Sequence, residues 1–194
     1  MPCCFEEREH LTDEFKVKYN RFQRVPFIHD NDFILSESVA ILRYISRQYG
    51  LGEEWYPRGS KEQALIDEYL EWHHLNTRLH LTIKQYAWID PTTGEKPDLN
   101  QLETWKKSVH TTMDKIEELW LKNHKYICGD TMTVADLFAA CEIEQPRMTG
   151  FDPIKGRFKL ESWLNSVRNQ LDPVYSEAHL FVNKIAAIQE KSKL

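Results

Sequence analysis

Beyond Ser60 the apolar residues recur at steps of three and four. Leu65, Tyr69, Trp72, Leu75, Leu79, Ile83 and Tyr86 form one stripe of a long amphipathic helix. Asp90-Pro91-Thr92-Thr93-Gly94 breaks it, and Leu102, Trp105, Val109, Met113, Ile116 and Trp120 form a second stripe. A third helix starts near Thr133, a fourth covers about 159–169 and a fifth about 176–188. Faces of this kind must be buried against one another, so residues 61–194 are committed to an all-helical domain. The chain has 194 residues, 41% of them hydrophobic and 28% charged, enough to build such a core and too apolar for a disordered segment.

The first fifty residues carry a different pattern. Leu11 and Phe15 predict a short helix within residues 9–18. Val25-Pro26-Phe27-Ile28-His29 reads as a strand, Asp30-Asn31 as a turn and Phe33-Ile34-Leu35 as the return strand. Ser36-Glu37-Ser38 opens a helix with Ile41, Leu42 and Ile45 on its apolar face, and hydroxyl and acidic side chains there suit an ordinary helix cap. Three glycines and Pro57 between Gly50 and Ser60 read as a linker. The expected fold class is α+β, with a small mixed domain over 1–50, a linker over 51–60 and a helical domain over 61–194.

Several function classes are disfavoured. A net charge of −5 offers no basic face for nucleic acid. Mean hydropathy is −0.58, and no apolar run approaches the roughly 18 residues of a membrane span. The start, Met1 to Arg8, turns charged too soon for a signal peptide. The four cysteines at 3, 4, 128 and 141 form no CxxC pair, which points to reduced thiols and a cytoplasmic location. Ser192-Lys193-Leu194 offers the alternative of a peroxisomal address. His73, His74 and His80 invite a metal reading, but adjacent helical residues point about 100° apart and no zinc motif supports them, so no metal is expected.

The sharpest local signal is Thr133-Val134-Ala135-Asp136, a capping box in which Thr133 caps a helix and Asp136 reaches back to the cap's N–H. It lies within Ile127-Cys128-Gly129-Asp130-Thr131-Met132-Thr133-Val134-Ala135-Asp136-Leu137, which resembles the capping-box segment of the cytosolic glutathione transferase helical domain. Val25-Pro26, followed by Glu37-Ser38-Val39-Ala40-Ile41-Leu42, looks like the glutathione-binding half of that family's thioredoxin-like domain. Trp55-Tyr56-Pro57 and Asp67-Glu68-Tyr69-Leu70-Glu71-Trp72-His73 resemble the theta class. Asn20-Arg21-Phe22-Gln23-Arg24-Val25-Pro26 and Ala140-Cys141-Glu142-Ile143-Glu144-Gln145 are similar to insect theta members. The resemblance runs from about His10 to Ile185.

It implies a truncated thioredoxin-like domain followed by an all-α domain. It also implies conjugation of glutathione, the co-substrate, to hydrophobic electrophiles, or reduction of peroxides, by a homodimer. A cis Val25-Pro26 bond would present the Val25 backbone to the glutathione cysteinyl group. Ser38 would hold the γ-glutamyl carboxylate at a helix start and Glu37 the ammonium. His10 and Arg24 match positions that contact the glycyl carboxylate, and Arg78 matches a theta-class arginine near the active site. The family's catalytic serine stabilises the thiolate from a loop of a first β-α-β unit, which takes about 30 residues. Only 24 residues precede Val25 and no serine occurs before Ser36, so the catalytic serine position is expected to be absent. Cys3 and Cys4, followed by a charged stretch, read as incidental. The hairpin 25–35 would keep an open edge and a weakened surrounding. The alternative function is a non-catalytic interaction or glutathione-binding protein built on the helical domain.

Overall fold

The computed structural model describes residues 9–81 and 98–191. Cys3, Cys4, Ile83, Tyr86, the break at Asp90–Gly94 and the final Ser192-Lys193-Leu194 lie outside them. The chain divides into two compact units, Met1–Tyr56 and Pro57–Leu194.

In the first unit a short 3-10 turn, Glu9–Leu11, leads into α1 (Asp13–Lys18). Thr12 ends the turn and starts the helix, because its hydroxyl accepts from Phe15 N at 3.1 Å. Phe15 is buried against the rings of Tyr19 and Phe27. Strands β1 (Phe27–Asp30) and β2 (Phe33–Ser36) pair antiparallel, from Phe27 opposite Ser36 to Asp30 opposite Phe33. The turn is therefore Asn31-Asp32, one residue later than the sequence suggests, and Asn31 takes the left-handed conformation, with φ 54°. Asp30 stays in the strand because its carboxylate accepts from the Tyr44 and Tyr49 hydroxyls, at 2.5 and 2.8 Å. Both tyrosines belong to α2 (Ser38–Gln48) or its last turn, so the hairpin tip is tied to the helix beside it.

The second unit is helical. The long first helix foreseen in the sequence is broken: α3 (Ser60–Trp72) passes through a 3-10 turn, His73–Leu75, into α4 (Thr77–Leu81). Asn76 causes the break, since its side-chain amide, at 2.9 Å, takes the Trp72 carbonyl that a continuing helix would need. The buried stripe also differs in phase. Leu65, Leu75 and Leu79 are 51, 73 and 46% exposed, whereas Ile66, Tyr69, Leu70, His73, Thr77 and Leu81 form the inner face. Counting apolar residues alone misplaces that face, because a histidine and a threonine with internal partners belong to it; Thr77 Oγ1 lies 3.3 Å from the Tyr69 hydroxyl.

Helix α5 (Leu99–Lys115) buries Trp105, Val109 and Met113, and Ile116 extends that face into a wide π-turn, Ile116–Trp120. Helix α6 (Val134–Glu144) starts at the capping box: Thr133 Oγ1 accepts from Ala135 N at 3.3 Å and Asp136 accepts from Thr133 N at 2.8 Å. Asp136 is fully buried and also accepts from Ile127 N and the Trp163 indole, at 2.9 and 2.8 Å. Trp163 belongs to α7 (Phe158–Leu171), so one carboxylate locks three segments together. The last helix of the sequence reading is two: α8 (Val174–Ala178) and α9 (Leu180–Lys191), divided at His179.

Candidate functional site

In the first unit the candidate residues gather around Asn20. This side chain is 2% exposed and uses both ends of its amide. Nδ2 donates to the Arg24 carbonyl at 2.5 Å, while Oδ1 accepts from Phe22 N at 3.0 Å and from the Ser36 hydroxyl at 2.8 Å. One residue beyond Arg24 is Val25, and one beyond Ser36 is Glu37. Asn20 thus fixes the loop entering Val25-Pro26 against the strand end that delivers Glu37-Ser38. Gln23, with φ 52°, donates to the Thr12 carbonyl at 3.2 Å and ties the turn carrying His10 to the same loop.

The Val25-Pro26 bond is cis. Among the described residues no hydrogen bond uses the Val25 N–H or C=O. Glu37 has φ 72° and ψ 115°, outside the conformations a side chain ordinarily allows. Ser38 is the first residue of α2, and no side chain caps that helix. The cap expected from Ser36-Glu37-Ser38 is therefore not formed: Ser36 has turned to Asn20, and Glu37, the N-cap residue, makes no side-chain cap hydrogen bond. A groove of about 560 Å³ runs beside these residues, lined among others by Tyr19, Asn20, Phe22, Phe33, Ser36 and Glu37. A helix N-terminus that its own N-cap side chain leaves uncapped favours an anion nearby.

Arg78 lies in the second unit, on α4, and is not the solvated helix residue that composition favours. Its Nε donates to Glu142 Oε1 at 2.7 Å, and its guanidinium carbon stands 5.9 Å from the centre of the Phe138 ring. Glu142 is buried on α6, and burial raises its carboxyl to about 7 even though Arg78 favours the charged form. His73 is fully buried beside it, its ring nitrogen 3.7 Å from Glu142 Oε1, and burial lowers it to about 4. Among the described residues no group of three or more histidines, cysteines or acids is placed to hold a metal ion. Thr133 and Asp136 are structural: the pair starts α6, and Asp136 also holds the Ile127 amide and the Trp163 indole.

Asn20 and Glu142 are the residues that sequence reasoning passed over. Both stood within segments quoted for their resemblance. The partners that matter, Ser36 for Asn20 and Arg78 for Glu142, stand sixteen and sixty-four residues away, and no local pattern marks them.

The Glutathione S-transferase, N-terminal domain model matches residues 2–47, and the C-terminal domain model matches residues 79–170. The chain is 34% identical to bovine (Bos taurus) glutathione S-transferase theta-1 over 181 residues, covering 91% of this chain and 74% of that protein. Its structure is similar to that of human glutathione-S-transferase T1-1 in the apo form, with a TM-score of 0.80 at 31% identity, covering 92% of this chain and 75% of the other. A human theta-class transferase in complex with the glutathione conjugate of 1-menaphthyl sulfate is also similar, with a TM-score of 0.85 at 29% identity, covering 95% and 76%. No described helix is long and apolar enough to cross a membrane. The two domain matches, the theta-class relatives and the thioredoxin-like piece followed by a helical unit together make this chain a member of the theta class of the glutathione S-transferase family.

Proposed function

We propose that this chain binds glutathione in its first unit and joins the glutathione sulfur to a hydrophobic electrophile. The observation that carries the reading is the start of α2, where no side chain caps the helix and Glu37 is held in the left-handed region. Strain of this sort costs about 1–3 kcal/mol and is kept where a ligand needs it. The γ-glutamyl carboxylate would sit at the N-terminus of α2 with the Ser38 hydroxyl, and the Glu37 carboxylate on the neighbouring ammonium. The Val25 N–H and C=O would pair with the cysteinyl backbone as an added strand does. His10 and Arg24 would take the glycyl carboxylate, and Arg78 is carried over by resemblance alone. The bound thiol loses its proton, the thiolate attacks an electrophilic carbon, and the leaving group departs with its electron pair. The theta-class complex with a glutathione conjugate supports the same ligand class for this chain.

A second reading, glutathione binding without turnover, is favoured by one contact. The Ser36 hydroxyl is already engaged, donating to Asn20 Oδ1 at 2.8 Å, and so is not offered to a thiol as a hydrogen-bond donor. Calorimetric titration with glutathione, paired with a conjugation assay on the same sample, separates the two. Binding with turnover is expected for the first reading and binding without turnover for the second. No binding by a helical, monodisperse chain would overturn both. The finer assignments follow the same resemblance: an insect-like theta member, a homodimer, to be read by light scattering, and a cytoplasmic location. A fluorescent fusion with a free C-terminus tests that location against the peroxisomal alternative.

A further inference from the structure

The second unit holds a cluster of ionisable groups around Arg78. Arg78 on α4, His73 and His74 on the turn before it, and Glu142 on α6 face one another, with Cys141 and Glu144 beside Glu142 along its own helix; His73, Glu142 and Glu144 are buried and Cys141 is exposed. Glu144 is otherwise engaged, taking Arg147, Arg168 and the Tyr175 hydroxyl. Arg78 Nη1 lies 3.4 Å from His74 Nδ1.

His73 Nδ1 contacts the Leu70 carbonyl, which can only accept. That nitrogen is therefore the protonated one, and Nε2 turns its lone pair toward the Glu142 carboxyl, at 3.7 Å. The separation is ion-pair range and beyond a hydrogen bond. Among the described residues neither His73 Nε2 nor Glu142 Oε2 has a hydrogen-bond partner, and both are enclosed. Enclosure beside one guanidinium disfavours charge on both groups: a charged His73 would add a cation next to Arg78, and a charged Glu142 has lost the water that would solvate it.

We propose that Glu142 is a positioning residue for Arg78, and that gain or loss of a proton at the Glu142 carboxyl sets how firmly the guanidinium is held. The proposal rests on the reading that Arg78 serves the conjugation reaction. Burial raises Glu142 to about 7 and lowers His73 to about 4, so the proton resides on Glu142 below neutrality. When it leaves, Glu142 becomes the full counter-charge of Arg78 and the anchor tightens.

The test is conjugation kinetics across pH for the full chain and for Glu142→Gln, Arg78→Ala and the double variant. Glu142→Gln is expected to lower kcat about three- to tenfold with little change in the KM for glutathione, and to erase an inflection near pH 7. The double variant should be no worse than Arg78→Ala alone. Unchanged kcat and pH profile in Glu142→Gln, or effects that multiply in the double variant, overturn the proposal. An NMR titration of the Glu142 carboxyl and the His73 ring needs no turnover, so it decides the protonation of Glu142 even where the conjugation reading fails. One proton leaving Glu142 near 7, with His73 neutral throughout, is expected. Glu142 titrating near its ordinary 4.5 with His73 charged at pH 6 overturns it. The Arg78 Nε–H signal should be slowly exchanging in the parent chain and fast in Glu142→Gln; equal exchange in both removes the anchor.

Discussion

The two units spend their buried surface differently. In the first, the enclosed apolar residues among those described are Phe15, Val39, Ile41 and Tyr56, while Val17, Phe22, Val25, Phe33, Ile34 and Tyr49 remain exposed. Among the described residues its sheet has two strands, a size that is marginal by itself. In the second, Tyr69, Leu70, Val109, Met113, Ile116, Ala135, Leu160 and Val167 have essentially no exposure. A ligand that is to be held by backbone needs unclaimed N–H and C=O groups, and a tightly packed helix interior has none to give. The candidate glutathione groups therefore sit in the thinly packed unit, and the mass of the core sits in the other. Glutathione would add free energy of folding to the unit that has least of it.

The largest expected effect breaks the second unit. Asp136→Ala leaves the Ile127 and Thr133 amides and the Trp163 indole without their acceptor. A loss of about 3–5 kcal/mol is expected in denaturant unfolding. A loss below about 1 kcal/mol would mean that the helices hold without this knot.

Asn20→Ala is the matching cut in the first unit. About 1–3 kcal/mol is expected from three hydrogen bonds lost at a buried amide. Hydrogen exchange should quicken over residues 27–36 and stay unchanged over 134–144, with glutathione affinity falling in step. Equal quickening in both segments would show that the two units unfold together.

The His73–Glu142 pair sharpens the comparison through pH. Glu142, raised in the fold to about 7 from 4.5, favours the folded chain below 4.5 and loses that contribution as pH rises through 7. His73, lowered to about 4 from 6.5, favours the folded chain above 6.5 and loses that contribution as pH falls through 4. Between 4.5 and 6.5 the slopes cancel, because the pair holds one proton in either state. Glu142→Gln should uncover the histidine, with stability falling by about 1–3 kcal/mol from pH 6.5 to 4.5. His73→Gln should uncover the carboxyl, with stability falling as pH rises from 4.5 to 7. Parallel curves for both variants and the parent chain would remove the coupling.

Asp30→Asn is expected to change least. The carboxylate joins Tyr44 and Tyr49 at an exposed hairpin tip, and its lowered pKa comes from those two hydroxyls. Such contacts are screened by water. A large loss would show that the tip, rather than Asn20, organises the first unit.

Local chemistry was readable in the sequence and distant pairing was not. The Thr133–Asp136 capping box spans three residues, and the hairpin was placed to within one residue because Asn31 is rare in tolerating the left-handed bend. The two-unit order followed from the change of period near Ser60. The inner face of α3 and α4 was misjudged because His73 and Thr77 look polar in a sequence and find their partners only in the fold. Asn20 meets Ser36 sixteen residues away and Arg78 meets Glu142 sixty-four away, and neither pairing leaves a periodic trace. The start of α2 was legible as a helix start, and its missing cap was not, since Ser36 could equally have served it.

Glu37 carries one further consequence. A glycine would adopt φ 72° with no steric cost, so Glu37→Gly should raise the melting temperature of the first unit while weakening its hold on the γ-glutamyl ammonium. Mutation and selection then oppose each other at a single codon: a screen for stability enriches the glycine, and a screen for glutathione capture restores the acid. Deep mutational scanning read out both ways would reveal position 37 as a place where durability has been surrendered for recognition.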